Sequence, residues 1–303
     1  MTIAITGASG PLGRTTAELV LQALDPREVV LTTRDPRALA ELAARGAEVR
    51  RVDFTDPDTL LGAFVGVDRL LVVSTDAVGA RLDPQRAAVA AAAAAGVGHV
   101  VYTSVPEPVP ANPALVVADH AGTEQALRES GVAWTVLRNS LYAHQQVPGL
   151  QHAAATGRLV TNTGTGATAY VTREDCAAAA AAVLVGGGHE GRALDVTGPL
   201  ALSAADLAAL AGEIGGREVE VVHVGDADLA AGLRSAGLPG HVADLVASFG
   251  AAAREGFLGR ATSVVADLTG RPPTALADVV REVTAQVTAQ GAASGAAPDG
   301  SGR

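Results

Sequence analysis

The apolar positions in the first half of the chain fall in short blocks separated by stretches of helical spacing. Thr2-Ile3-Ala4-Ile5-Thr6, Glu28-Val29-Val30-Leu31-Thr32, Glu48-Val49-Arg50-Arg51-Val52, Asp68-Arg69-Leu70-Leu71-Val72-Val73-Ser74, Gly98-His99-Val100-Val101-Tyr102-Thr103 and Ala133-Trp134-Thr135-Val136-Leu137-Arg138 read as strands. Asp68 to Ser74 is almost continuously apolar, as a parallel strand covered on both faces must be. Between the blocks, Thr15, Thr16, Leu19, Val20 and Leu24 recur at helical spacing, a helical run ends near Gly46 and another starts near Pro57. Gln85 to Ala95 is an Ala-rich helix, and a further helix is predicted from about Val116 to Ser130. Strand alternating with helix predicts an α/β fold, a Rossmann-type, doubly wound, mainly parallel sheet with right-handed crossovers.

From about residue 145 the rhythm loosens. Helices are predicted near 174–186, 203–214, 226–236 and 275–288, and short strands near 192–196 and 218–223. The pattern predicts a dinucleotide-binding domain over residues 1–144 and a small C-terminal α/β substrate lobe over 145–289, whose chain returns to the first core. The Ala/Gly/Ser-rich end, 290–303, is predicted to be disordered. Val105 to Pro113 carries prolines at 106, 108, 110 and 113, so it reads as an extended loop and a candidate part of a substrate rim.

The first strand runs directly into Gly7-Ala8-Ser9-Gly10-Pro11-Leu12-Gly13. Glycines allow a strand to reverse into a helix and leave room for a ligand's phosphates, and Pro11 suits the first turn of a helix, where its missing N–H is no loss. The free N–H groups and the helix dipole then face an anion. A glycine pattern alone is a weak signal, because tight strand–helix turns without ligands also select glycine. Its place between a strand and a helix makes Gly7, Ser9, Gly10, Pro11, Leu12 and Gly13 candidates for a dinucleotide cradle.

The strand ends that follow carry the next candidates, since parallel sheets bind ligands at their carboxyl ends. Arg34, just past the second strand, suits the added phosphate of NADP, with Arg37 as a helper, while Asp35 keeps NAD open. Asp53 reads equally as an acceptor for the adenine amine, with Phe54 beside the ring, or as a helix cap together with Asp56. Ser74 and Thr75 end the fourth strand, and Thr103 and Ser104 the fifth. All four are candidates to line the ribose and nicotinamide path.

Composition narrows the chemistry. The 303 residues carry a formal charge of −10, which argues against a nucleic-acid partner. The Ala-rich runs are broken by charges, so no membrane span is expected, and the N-terminus starts in a strand rather than a signal peptide. The single cysteine, Cys176, has no partner for an internal disulfide. No Cys or His spacing suggests a metal, and a cytoplasmic setting fits best. All 22 basic residues are arginine. Without lysine there is no Walker-type loop, no Schiff-base chemistry and no Tyr-Lys proton relay.

The glycine turn, Thr33-Arg34, Leu70-Leu71-Val72-Val73-Ser74, Val101-Tyr102-Thr103-Ser104 and Thr135-Val136-Leu137-Arg138-Asn139, with Leu268 to Thr274 near the end, resemble the atypical short-chain dehydrogenases of the NmrA-like group. Within that group they are most similar to the bacterial type-two NADPH:quinone oxidoreductases. The resemblance covers about residues 2–288. It implies NADPH binding, with NAD as the alternative, and two-electron reduction of a quinone or aromatic carbonyl without flavin. It leaves open a non-catalytic, dinucleotide-sensing regulator, or a tailoring reductase or isomerase of an aromatic natural product. Ordinary short-chain dehydrogenases use Tyr-x-x-x-Lys, and none of Tyr102, Tyr142 and Tyr170 has that lysine.

A quinone already accepts hydride readily, so an enzyme can act by holding donor and acceptor about 3–3.5 Å apart in a dry pocket. His120, on the helix where the Tyr-Lys pair would lie, is the first candidate proton donor. It reads equally as a helix residue paired with Asp119 or Glu124. Tyr142 and Asn139 are the next candidates, for orienting a carbonyl oxygen. The expected partner is a small molecule, with the chain acting as a monomer or homodimer.

Overall fold

The computed structural model describes residues 1–295. Its first half alternates β1 (Ile3–Ile5), α1 (Pro11–Ala23), β2 (Val29–Thr33), α2 (Ala40–Ala44), β3 (Glu48–Arg51), α3 (Leu60–Phe64), β4 (Arg69–Val72), α4 (Leu82–Ala94), β5 (His99–Ser104), α5 (Val117–Glu129) and β6 (Ala133–Asn139). The second half begins with α6 (Val147–Thr156), β7 (Arg158–Thr161), β8 (Ala167–Thr168), α7 (Arg173–Gly186), β9 (Arg192–Val196) and β10 (Leu202–Ser203). It ends with α8 (Ala204–Gly215), β11 (Glu220–His223), α9 (Asp226–Ser235), α10 (Gly240–Arg254), α11 (Val264–Thr269) and α12 (Leu276–Gly295).

Seven parallel strands form the central sheet in the order β3-β2-β1-β4-β5-β6-β9. Alternation along each strand feeds two cores. Ile3, Ile5, Val29, Leu31, Leu71, Val101 and Leu137 face α1 and α7, whereas Ala4, Val30, Leu70, Val72, Val100, Tyr102 and Val136 face α3, α4 and α5. The α/β fold expected from the sequence is the fold observed: a doubly wound, Rossmann-like sheet.

β9 pairs with β6 through Thr135–Arg192 to Asn139–Val196, so residues far along the chain complete the first sheet. α7 lies along α1 and packs through Ala177, Ala180 and Ala181, small side chains that allow close approach. The remaining elements form two smaller cores. One gathers α6, α8 and α12 around Leu150, Leu210, Ala211 and Leu276; the other holds α10 against Ala114, Val116 and Val117 at the entry to α5. Among the described residues no helix is long and apolar enough to cross a membrane.

The pattern-based reading omits α6, α10, α11 and the short β7, β8 and β10. α10 shows why: a Cβ on Gly250 would lie 1.7 Å from Asn162 Oδ1, so its glycine answers a distant neighbour rather than helical periodicity. α12 is drawn to Gly295, within the 290–303 stretch expected to be disordered, and 296–303 lie outside the described residues.

Candidate active site

Gly7 follows β1 at φ +59°, a left-handed conformation that a side chain would strain. The turn closes with Gly10 N donating to Gly7 O at 2.9 Å, and Ala8 N ties it to Thr32 O at 3.0 Å. A Cβ on Gly13 would lie 2.3 Å from Gly7 O, so the third glycine lets α1 pack on its own entry turn. Pro11 then starts α1, leaving first-turn N–H groups unpaired within the helix.

This turn is the middle of a crevice of about 490 Å³ along the carboxyl edge of the sheet. At one end lie Arg34, Val52, Asp53 and Phe54, and beyond the glycines come Ser74, Thr75, Asp76, Arg81, Tyr142 and Arg173. Ser9, Gly10, Pro11, Leu12 and Gly13 line it as well. Ser9 and Thr33 hydroxyls share a hydrogen bond of 2.9 Å across the turn. The length and shape suit a dinucleotide, with the pyrophosphate at the glycines and a base at each end.

Arg34 is exposed on the rim and forms no hydrogen bond or ion pair among the described residues. Arg37 does not help it: it is paired with Asp35 at 3.1 Å and stays off the crevice wall. That pair also occupies the acid that kept NAD open, and leaves Arg34 as the free charge on this rim. Asp53 turns inward on its own loop, accepting from Thr55 N at 3.0 Å and Thr55 Oγ1 at 2.7 Å. These bonds, with the nearby Arg34 charge, hold its carboxyl below the usual range. Asp53 therefore both lines the wall and ties its turn, while Asp56 caps nothing through its side chain.

Not every strand-end candidate reaches the wall. Thr103 stands behind Ser74, accepting from Ser74 N at 2.9 Å and donating to its Oγ at 3.3 Å. Ser104 points into the helix layer and donates to Glu124 Oε1 at 2.8 Å. Neither touches the crevice. They position the β4 end instead.

His120 is also off the wall. It is 3% exposed, in the layer between β5 and α5, with Nδ1 2.8 Å from Tyr102 Oη. Tyr102 Oη has a second partner on its other side. Thr75 N donates to Gln85 Oε1, so Gln85 Nε2 is turned to donate to Tyr102 Oη, which shares its other hydrogen bond with His120 Nδ1. Burial, reinforced by the Arg81 charge, pushes the imidazole well below its ordinary value and keeps it neutral. The expected carboxylate partners are engaged elsewhere. Asp119 binds Gly79 N at 2.7 Å and Arg81 Nε at 3.2 Å, and Glu124 binds Ser104, Arg128 and Arg138.

Tyr142 does line the crevice, just past β6. Its ring stacks on His144 at 5.5 Å, and the Arg173 guanidinium sits 5.4 Å from its centroid. Burial raises the phenol above its ordinary value, against the opposing effect of the neighbouring Asn139, so the hydroxyl stays protonated. Asn139 is buried behind the wall, with Oδ1 unpaired.

Arg81 and Arg173 escaped the sequence reading. Arg81 is 5% exposed and fastens the 74–81 loop, giving Nη1 to Thr75 O at 2.6 Å and Nε to Asp119. Its only sequence signal is a charge just ahead of an Ala-rich helix. For Arg173 the signal is as thin: an arginine after the capping Thr172 of another Ala-rich helix.

Comparison with known proteins agrees with this geometry. Residues 7–185 match the family described as NAD(P)H-binding. The chain is 36% identical over 278 residues to Quinone oxidoreductase 2 of Escherichia coli, spanning 92% of this chain and 97% of that one. It is 30% identical over 279 residues to the NAD(P)H azoreductase of Xenophilus azovorans, covering 92% and 96%. The crystal structure of the Escherichia coli NADPH-dependent quinone oxidoreductase complexed with NADPH superposes with a TM-score of 0.89 at 35% identity, covering 93% of this chain and 99% of that one.

Proposed function

The chain belongs to the NAD(P)H-binding family of oxidoreductases, and from that premise we propose that it is an NADPH-dependent reductase of quinones or related conjugated carbonyls. The observation that carries the reading is the continuous crevice that runs from the glycine turn to Tyr142, whose phenol burial keeps protonated. Similarity to relatives named for quinone and azo reduction supports it.

In this reading Gly7 to Gly13 hold the pyrophosphate through backbone N–H groups. Phe54 and Val52 flank the adenine, and Arg34 holds the ribose phosphate that distinguishes NADPH from NADH. Ser74 and Thr75 face the nicotinamide half. When bound there, the reduced nicotinamide supplies the hydride. The chain's contribution is then placement and exclusion of water, because a quinone needs little acid assistance. Tyr142 donates a hydrogen bond to the acceptor oxygen on which negative charge develops, and buried Asn139 positions the Tyr142 hydroxyl. The proton that completes the hydroquinone enters from solvent. We assign His120 to the support of β4 and β5 through Tyr102 and Gln85, not to proton transfer. The cytoplasm suits this activity, because NADPH is regenerated there and a lone thiol such as buried Cys176 stays reduced.

The test is to mix the protein with NADPH and a panel of quinones and follow loss of the reduced nicotinamide. Turnover with at least one quinone is expected. Tight NADPH binding without oxidation across quinones and other conjugated carbonyls, together with a protein partner recovered by pull-down, would refute it in favour of a dinucleotide sensor.

A further inference from the structure

Arg173 has no role in the scheme above, yet it lines the same crevice. It is half-buried and forms no hydrogen bond or ion pair among the described residues, and its guanidinium lies against the ring of Tyr142. The other charged residues of the wall differ from it in what surrounds them. Arg81 is paired with Asp119, and Arg34 stands on the rim beside Asp53. A half-buried guanidinium without a carboxylate is unusual, because the charge loses water without regaining an anion.

Topology puts the start of α7 on the same edge of the sheet as the start of α1. α1 leaves the top of β1 and runs down to β2, and α7 runs down to the start of β9 in the same parallel sheet. The two helices lie side by side on one face of the sheet, so both N-termini open at its carboxyl edge. Arg173 is the first residue of α7. The small Ala177, Ala180 and Ala181 side chains bring that helix close to α1, whose own N-terminus carries the glycine cradle. Thr172 fixes the start of α7 by accepting from Asp175 N at 3.0 Å. The Tyr142–Val171 bridge fixes the incoming strand beside the wall.

We propose that Arg173 is a second phosphate-binding residue of the dinucleotide site, closing on the pyrophosphate from the α7 side opposite the glycine turn. The proposal rests on the dinucleotide reading of the crevice but not on the identity of the acceptor. It divides the cofactor between two arginines. Arg34 reads the ribose phosphate that only NADPH carries, and Arg173 holds the pyrophosphate common to NADPH and NADH. Arg173 also rests on the ring of Tyr142, so phosphate capture and placement of the acceptor's hydrogen-bond donor share one side chain.

Calorimetric titration of the full chain, with steady-state kinetics beside it, tests this. Arg173→Gln is expected to raise the dissociation constants of NADPH and NADH by the same factor, about tenfold or more, as loss of a charge-assisted phosphate contact does. Arg173→Lys, which keeps the charge but loses the planar fork, should recover part of that loss. Adenosine 2′-monophosphate has no pyrophosphate and reports whether the site is still folded, so its binding should not change in either variant. Three results overturn the proposal. They are unchanged dinucleotide affinity in Arg173→Gln, an equal loss for adenosine 2′-monophosphate, and a raised KM confined to anionic acceptors. Wild-type protein that binds neither dinucleotide overturns the underlying reading and this proposal with it.

Discussion

Arg34 offers the sharpest quantitative test of the cofactor assignment. It is exposed, its neighbour Asp35 is paired with Arg37, and it makes no bond within the described residues, so removing it disturbs little of the fold. A hydrogen bond to a charged group contributes about 1.5–3 kcal/mol, and solvent exposure puts this one near the lower end. Arg34→Ala should therefore weaken NADPH binding about tenfold. In Arg34→Glu a carboxylate about 5 Å from the ribose phosphate in near-aqueous surroundings adds about 1 kcal/mol of repulsion. The combined loss is roughly fifty- to a hundredfold. NADH lacks that phosphate and should change by less than about twofold. Titration with each dinucleotide, repeated at rising salt, measures both effects, and the NADPH advantage of wild type should shrink as salt screens the pair. Equal losses for NADPH and NADH in either variant would refute the assignment of Arg34 to the ribose phosphate.

Four further outcomes follow from the geometry. Tyr142→Phe should lower kcat about ten- to a hundredfold with little change in NADPH affinity, read by steady-state kinetics beside a binding titration; an unchanged kcat removes the hydroxyl from the reaction. Gly13→Ala drives a Cβ to 2.3 Å from Gly7 O, and the forced shift should cost about 1–3 kcal/mol of stability and lower Tm. Asp119→Ala leaves the buried Arg81 charge without its carboxylate, which should cost about 3–5 kcal/mol in urea unfolding and loosen the 74–81 loop to hydrogen exchange. His120 binds a proton less readily folded than unfolded, and Glu124, held low by Arg138 and Ser104 against its burial, behaves the same way. The unfolded chain thus takes up more protons in acid. Stability should fall as pH drops below about 6.5, and His120→Asn should flatten the upper part of that fall.

The pattern of the first half was legible because it is local. Short apolar blocks such as Leu70-Leu71-Val72, bounded by charged and polar residues, suit strands covered on both faces, and the glycine turn between β1 and α1 announces itself by residue type and position. The second half was less legible. α10 contains Gly250, which answers a contact with the distant Asn162, and β8 and β10 are two residues each, too short to show a period. Among candidate site residues, those fixed by backbone geometry fared best: the glycine turn, Arg34 and the β4 end all line one crevice.

Side-chain direction was a different matter. Thr103 and Ser104 sit at a strand end as Ser74 does, but alternation turns Ser104 toward α5 and leaves Thr103 beneath Ser74. His120 has the residue type and helix position of a proton donor, yet the close fit of α5 on β5 buries it against Tyr102. The sequence by itself determined the order of strands and helices in the first half, the glycine turn and, by its lack of lysine, that no Tyr-Lys relay can form. The tertiary structure decided which polar groups meet. Arg173 lines the same crevice as Gly7 to Gly13 only because an Ala-rich helix packs against α1. That contact depends on the fit of two distant surfaces, and no local periodicity records it.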